Sequence, residues 1–534
     1  MESTEAEAHS SEIEHHEKVD DINKEESAED ALPVASTQPE EEIQASTEVD
    51  DSKTGEDMHP HRTIPLVNSQ ANWHEVQSCL VKATNLTNLE DLHKIIRDIV
   101  EICKNKPEED MEIIETLNFV TNVKVANAKI LPMIHYIASL ALRVDNLFSE
   151  GRIRFLRKNK EDYITFTSEE CACIIALAFF CCMIPAPKEI ACAYPINFIQ
   201  WYSAKVPIYE EKIHFFLCYF ETFKNEDEAV KKGESEYRIL SFERHSELSD
   251  SYTSLDDNFW CSMEKPLLNA TLIEEGGVVD QEKEDQRVIL TNFANRFLGG
   301  GVMRKGAVQE EILFLRFPEL LLSSVVCAKM EKNESVTITG PKLYSNNEGY
   351  SNKTKFAGKA EDPLNIDEFG RIDRTFVCID ALRLKGMRLQ VGQFYQQDNL
   401  RELNKAYIGF RADSKEEETK GDRKTIVTGK WGCGAYNGNP ELKFILQWIA
   451  CSAHDRDIIF TTFGEKDCAN IPKIIEKFQG KPISEIFLQI MNLRGYIKKK
   501  DGNGDKTKGF KNKKGLKGIV WKFIEGKDKQ LKIQ

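Results

Sequence analysis

The chain has 534 residues, too many for one ordinary domain, and 41% of them are hydrophobic, enough to bury a sizeable core. Its formal charge of -16 is local: residues 1–62 hold 20 Asp and Glu against four Lys and Arg, and the remainder balances at 67 of each sign. That balance excludes a strongly charged globular body, and no apolar run is long enough to cross a membrane; the longest, Cys171 to Pro187, is closed by prolines.

The leader, residues 1–66, is rich in Glu, Ser, Asp and Ala and nearly free of aromatics, so it cannot offset the entropy of ordering and is expected to be disordered. It lacks the apolar core of a secretory signal and is too acidic for a mitochondrial presequence. A soluble intracellular chain is the expectation. His59 to Arg62, at the end of the leader, reads as incidental. Fourteen cysteines contain no C-x-x-C pair. Cys171, Cys173, Cys181 and Cys182 lie in an apolar helical segment, where reduced thiols act as small buried hydrophobes.

Residues 67–205 read as an accessory helical domain. Leu92, Ile95, Ile96, Ile99, Val100 and Ile102 recur at helical spacing, and Thr167 with Glu170 predicts a capping box opening a helix. A packing scaffold is the expected role. Residues 206–495 change pattern. The runs KIHFFLCYF, SVTITG, TFVCID and DIIFTTF read as strands of a covered sheet. Between them AVQEEILFLRF, stopped by Pro318, and ELKFILQWIACSA, after Pro440, read as helices. Strands alternating with helices predict an α/β domain with a mixed or parallel sheet. Residues 496–534 form a tail with 13 Lys against four acids from Lys498 onward.

Two glycine-rich loops lead into predicted helices. The first, RFLGGGVMRKGAVQEEI, carries Gly299, Gly300 and Gly301. It is not a Rossmann fingerprint, which would need glycine where Arg304 stands, and it lacks the Gly-Lys-Ser/Thr of a phosphate loop. The second, GKWGCGAYNGNPELK, carries Gly432, Gly434 and Gly438. Bare glycine turns before helices let backbone N–H groups approach an anion or a sugar. Adjacent helical residues point about 100° apart, so Glu310 and Glu311 cannot chelate a metal as an i, i+4 pair would. They can flank a sugar. Acid catalysis of glycoside cleavage needs a carboxyl protonated near neutrality. The helix terminus favours the carboxylate, whereas burial and a like neighbour favour the acid, and sequence does not decide between them.

The stretch FANRFLGGGVMRKGAVQEEI closely resembles the signature of the poly(ADP-ribose) glycohydrolases. The segments EDYITFTSEE, LIEEGG, VTITG with EGY, VCIDAL, RELNKAYIGF, GKWGCGAYNG and FTTFG resemble the same family in the same order, from roughly residue 130 to 480. The resemblance implies an α/β fold, a macrodomain-like mixed sheet with flanking helices preceded by an accessory helical domain. It implies hydrolysis of ribose–ribose bonds in poly(ADP-ribose) without a cofactor or metal. By resemblance Glu311 is the general acid/base, Glu310 holds ribose hydroxyls, and Gln309 completes that wall. Gly299, Gly300 and Gly301 close around the distal ribose, and Asn295 lies in the matched ribose-binding stretch. Gly432, Cys433, Gly434, Ala435 and Tyr436 match the loop that cradles the diphosphate. Tyr350 and Phe463 match the aromatics beside the adenosine, and Ile273 with Glu274 the pair that recognises adenine.

Two positions depart from the family pattern. Asn292 stands where the family has a carboxylate that orders the catalytic loop, and Lys430 where it has Asn before WGCGA. Asn292 keeps the hydrogen-bonding shape without the charge, which leaves open a second reading, a reader of ADP-ribose or its polymer that cleaves poorly. The expected partners are poly(ADP-ribose) and ADP-ribosylated proteins, with no membrane or nucleic acid, and the chain is expected to be monomeric. The lysine tail reads as an electrostatic guide for a polyanion, with a nucleic-acid arm as the alternative. The expected setting is the nucleus, the cytoplasm or both, in the DNA damage response.

Overall fold

A computed structural model describes residues 63–103, 127–185, 196–202, 206–247, 255–281, 287–384, 392–412, 423–495 and 518–526. The expected disorder of the leader falls almost wholly outside these residues, as does most of the lysine tail.

Helices α1 (Trp73–Ala83), α2 (Glu90–Ile102) and α3 (Asn127–Ala141) open the chain, with β1 (Thr63–Pro65) paired to β2 (Arg152–Arg154). Then β3 (Asp162–Thr167) runs straight into α4 (Ser168–Phe179). The predicted capping box forms there: Thr167 Oγ1 accepts from Glu170 N at 3.1 Å and Glu170 Oε2 from Thr167 N at 2.7 Å. Cys171, Cys173, Cys181 and Cys182 are buried, and none of them forms a disulfide.

Helix α5 (Pro207–Lys231) corrects one expectation, because KIHFFLCYF lies within it and is not a strand. Proline at its first turn starts the helix. Phe215, Cys218 and Thr222 are buried as well as Ile208, Ile213, Phe216, Tyr219 and Phe223, so the helix is covered over more than half of its circumference. A short apolar run of that kind does not separate strand from helix by period.

Next come β4 (Ile239–Ser246), β5 (Ala270–Ile273), β6 (Val288–Ala294), α6 (Gln309–Arg316) and β7 (Glu334–Gly340). The small hairpin β8 (Ser345–Glu348) and β9 (Lys355–Lys359) follows. After it run β10 (Ile372–Asp380), α7 (Gln396–Arg411), β11 (Thr425–Gly429), α8 (Pro440–Ala453) and β12 (Ile458–Thr461). Helices α9 (Ile471–Phe478), α10 (Ile483–Met491) and α11 (Ile519–Glu525) complete the described chain.

Eight strands form one mixed sheet in the order β3-β4-β7-β10-β6-β11-β12-β5. From β10 to β5 the pairs are parallel, and from β3 to β10 they are antiparallel. The expected helical segment therefore contributes an edge strand, β3. Alternate side chains feed two cores. Leu290, Phe376 and Val427 join the layer built from α1 to α6, whereas Ile289, Val377 and Ile426 join that of α7 to α11. Both faces are covered, as the apolar strand composition predicts. Part of the expected tail belongs to this fold: Ile519, Val520 and Ile524 of α11 are buried in the second core, and Trp521 N donates to Glu441 Oε2 at 3.0 Å.

Candidate active site

Strands β6, β11, β12 and β5 run parallel, so their C-terminal ends lie along one edge of the sheet. The loops leaving those ends carry Asn295 to Gly301, Lys430 to Tyr436, Phe463, and Glu274. Open parallel sheets bind ligands in the crevice outside these ends.

The carboxyl pair sits on the first turn of α6. Glu311 Oε2 accepts from Val308 N at 3.0 Å, the N-cap backbone, and its Oε1 accepts from Gly301 N at 2.8 Å. Glu310 takes Gly299 N on Oε1 at 2.9 Å and Asn295 N on Oε2 at 2.8 Å. Gln309 is stitched along β6, accepting from Phe293 N at 2.8 Å and donating to Thr291 O at 3.0 Å. Three consecutive side chains thus fasten the helix start to the end of β6 and the glycine turn.

The glycines are required by space. At Gly300, with φ of +49°, a Cβ would lie 2.6 Å from Glu310 Oε2 and 2.7 Å from Glu311 Oε1. The two carboxyls therefore flank one point, and Gly300 is exposed while both glutamates are buried. At Gly299, with φ of +90°, a Cβ would meet Ser324 Oγ at 2.5 Å. A Cβ on Gly301 would press on Gly306 Cα at 3.2 Å. Burial, and then the Glu311 charge, push the Glu310 carboxyl well above the ordinary range against the N–H groups it accepts from. The contest left open by the sequence is won by the acid form at Glu310.

The second glycine loop forms the facing wall. Gly432 has φ of +72°, and a Cβ there would meet Ala381 Cβ at 2.5 Å. Gly434 and Ala435 are exposed, and their backbone N–H groups have no partner among the described residues. Such donors are ready for an anion. Cys433 Sγ turns back to Trp431 O at 3.6 Å. Beneath the loop, Lys443 Nζ lies 3.9 Å from the Trp431 ring centroid and pairs with Glu402. Asp380 is held by Arg401 and Lys405, both at 2.7 Å. The RELNKAY segment is therefore a brace under this loop.

Asn295 joins the two walls, donating to Tyr436 Oη at 3.3 Å. Burial pushes the Tyr436 hydroxyl up to about 12, and Glu310 adds to it. Tyr350 Oη accepts from Gln309 N at 3.2 Å, with its ring half-exposed. Phe463 is also half-exposed, in the left-handed region with φ of +54°. It sits beside the end of β5, where Thr462 N donates to Ile273 O at 2.8 Å. Exposed Glu274 follows directly. Lys430 pairs with Glu465 and stands 5.6 Å from the Phe463 ring centroid. Asn292 is fully buried behind Glu310, which it touches, with Nδ2 3.5 Å from Cys378 Sγ and Oδ1 without a partner. It is closed to solvent and so supports the pair from behind rather than meeting a substrate. Among the described residues no group of three His, Cys, Asp or Glu has metal-holding geometry.

Two family profiles match the chain: the poly(ADP-ribose) glycohydrolase helical domain over residues 128–244, and the poly(ADP-ribose) glycohydrolase macro domain fold over residues 258–470. The chain belongs to the poly(ADP-ribose) glycohydrolase family. Its similarity to poly(ADP-ribose) glycohydrolase 1 of Caenorhabditis elegans is 30% identity over 369 residues, 67% of this chain and 43% of that protein. With poly(ADP-ribose) glycohydrolase 2 of the same organism it is 30% over 318 residues, 57% of this chain and 59% of that protein. With poly(ADP-ribose) glycohydrolase 1 of Arabidopsis thaliana it is 28% over 400 residues, 62% and 69%. The chain thus spans about half the length of the two nematode relatives. The crystal structure of the Thermomonospora curvata poly(ADP-ribose) glycohydrolase covers 43% of this chain and 78% of its own at 15% identity, with a TM-score of 0.27.

Sequence reasoning missed Lys212 and Trp201, which touch the loop between Gly301 and Gln309 from the helical half. One signal was present. Lys212 shares a helical stripe with Ile208, Phe216 and Tyr219, a charge on an apolar face, but the strand reading of this run concealed it.

Proposed function

We propose that this chain hydrolyses the ribose–ribose O-glycosidic bonds of poly(ADP-ribose) and releases ADP-ribose. The observation that carries this reading is the buried Glu310–Glu311 pair flanking an exposed glycine at the C-terminal edge of the parallel strands. Burial favours the protonated form of Glu310. That proton passes by way of Glu311 to the bridging oxygen as the bond to the ribose carbon breaks, and Glu311 then takes one from the attacking water and returns it to Glu310. Glu310 holds ribose hydroxyls, and the Gly299 to Gly301 turn lets the sugar approach both. The N–H groups of Gly434 and Ala435 receive the diphosphate, while Tyr350 and Phe463 pack against the adenosine. A positioned acid/base contributes about 100- to 10,000-fold. Polymer carried on modified proteins, in the nucleus or cytoplasm during DNA damage, is the substrate this reading gives it.

The test is release of ADP-ribose from purified polymer by the full chain and by Glu311→Gln. Release that disappears in the variant supports the reading. A wild-type chain that binds polymer without releasing ADP-ribose favours the second reading, a binding protein. Asn292 motivates that alternative, because its amide replaces a family carboxylate and leaves Oδ1 unpartnered behind Glu310.

A further inference from the structure

The loop between Gly301 and Gln309 carries both N–H groups that grip Glu311, those of Gly301 and Val308. Its carbonyls turn towards α5. There Lys212, with none of its surface exposed, donates to Val302 O at 2.7 Å, Arg304 O at 2.5 Å and Gly306 O at 2.6 Å. Trp201 Nε1 adds a bond to Val302 O at 3.2 Å, and its ring lies 5.8 Å from the ammonium. Three alternate carbonyls converge on one ammonium, so the loop is wound around it.

An ammonium has three protons to donate, and here each has a carbonyl. Burying such a group is costly unless its donors are matched, and apolar residues fill the rest of the stripe. Packing alone would be served by a leucine or methionine. The matched cage instead fixes a loop that no strand or helix holds, between two N–H groups whose placement decides where the Glu311 carboxylate stands.

We propose that Lys212 is a positioning residue for the reaction: its ammonium, supplied by the helical half, sets the 302–306 loop and through it the Glu311 carboxylate. The inference rests on the glycohydrolase reading, and it gives the helical half a part in the chemistry beyond packing.

The test uses the full chain with Lys212→Met, which keeps the stem and removes the donors, and Lys212→Ala, which opens space for a free ammonium ion. Lys212→Met is expected to lower kcat on polymer about 100-fold, the scale of a roughly 1 Å misplacement. Affinity for ADP-ribose by calorimetry should change less than about threefold, because the diphosphate and adenosine contacts lie on other loops. Ammonium chloride should restore Lys212→Ala at least about tenfold, and sodium chloride of equal ionic strength should not. A folded Lys212→Met with kcat within about threefold of wild type overturns the proposal. So does the absence of any ammonium effect, or failure of both variants to fold, which would make Lys212 a stability residue. A wild-type chain that releases no ADP-ribose defeats the glycohydrolase reading instead. Hydrogen exchange over residues 301–308 then decides the positioning role: faster exchange in Lys212→Met supports it, and unchanged exchange overturns it.

Discussion

Gly300→Ala is the perturbation that tests the geometry of the pair most narrowly. Gly300 sits at φ of +49°, and its Cβ would stand 2.6 Å and 2.7 Å from the two carboxyl oxygens. The left-handed conformation costs a residue with a Cβ about 1–2 kcal/mol. The methyl group must also displace one or both carboxyls, or the glycine turn that holds them, by several tenths of an ångström. Misplacement on that scale predicts a fall in kcat of about 100-fold, beyond what strain alone would cause. Gly480→Ala separates the two effects, since Gly480 also has positive φ, at +77°, but nothing within 4 Å of its Cβ. The assay is ADP-ribose release at saturating polymer, with urea unfolding of each variant. Both variants should lose about 1–2 kcal/mol of stability, and only Gly300→Ala should lose turnover. Gly300→Ala with kcat within about threefold of wild type would refute the placement of the reacting sugar between the two carboxyls.

Glu310 has its carboxyl raised above its ordinary value of 4.5 by burial, so its stabilising effect is complete below that pH and is lost as pH rises towards the folded value. Turnover should fall on the alkaline side as Glu310 loses its proton, a limb read from a pH profile of kcat; a flat profile would contradict the acid role. Asn292→Asp adds a second buried carboxylate behind Glu310 and should push that limb to higher pH, and no shift would mean the two do not interact. Lys430→Asn should weaken ADP-ribose binding by about 1 kcal/mol, near fivefold, because it removes a cation beside the loop assigned to the diphosphate, one that Glu465 and solvent already partly screen. The loss should shrink with added salt in calorimetry. Truncation after residue 495 removes α11 and uncovers the partners of Ile519, Val520 and Ile524, each contributing about 1.5–3 kcal/mol of burial. It should lower the melting temperature, whereas truncation after residue 526 should not.

Much of this architecture is legible in the residues. The runs SVTITG, TFVCID and DIIFTTF become β7, β10 and β12 because β-branched runs of that length suit strands covered on both faces. Thr167 and Glu170 announce α4 through a local hydrogen-bond pattern that needs no tertiary partner. The run KIHFFLCYF fails for the opposite reason. A helix buried on several sides loses its period, and only packing reveals it. β3 is concealed because its partner β4 lies more than 70 residues on, past two helices. At the site, the glycines and the Gln309 to Glu311 triplet are contiguous and so can be read together. The Lys212 cage is not contiguous, since its ammonium and its carbonyls are about 90 residues apart. The state of Glu310 depended on burial, which no spacing encodes.

The central claim is that this pair of carboxyls directs water to a glycosidic carbon. The most direct measurement is hydrolysis of purified poly(ADP-ribose) by the full chain in water enriched in heavy oxygen, with mass analysis of each product. The account predicts ADP-ribose labelled on the ribose formed by cleavage, with no label on phosphate and no product from Glu311→Gln. Label on phosphate, or cleavage that survives in Glu311→Gln, would contradict it.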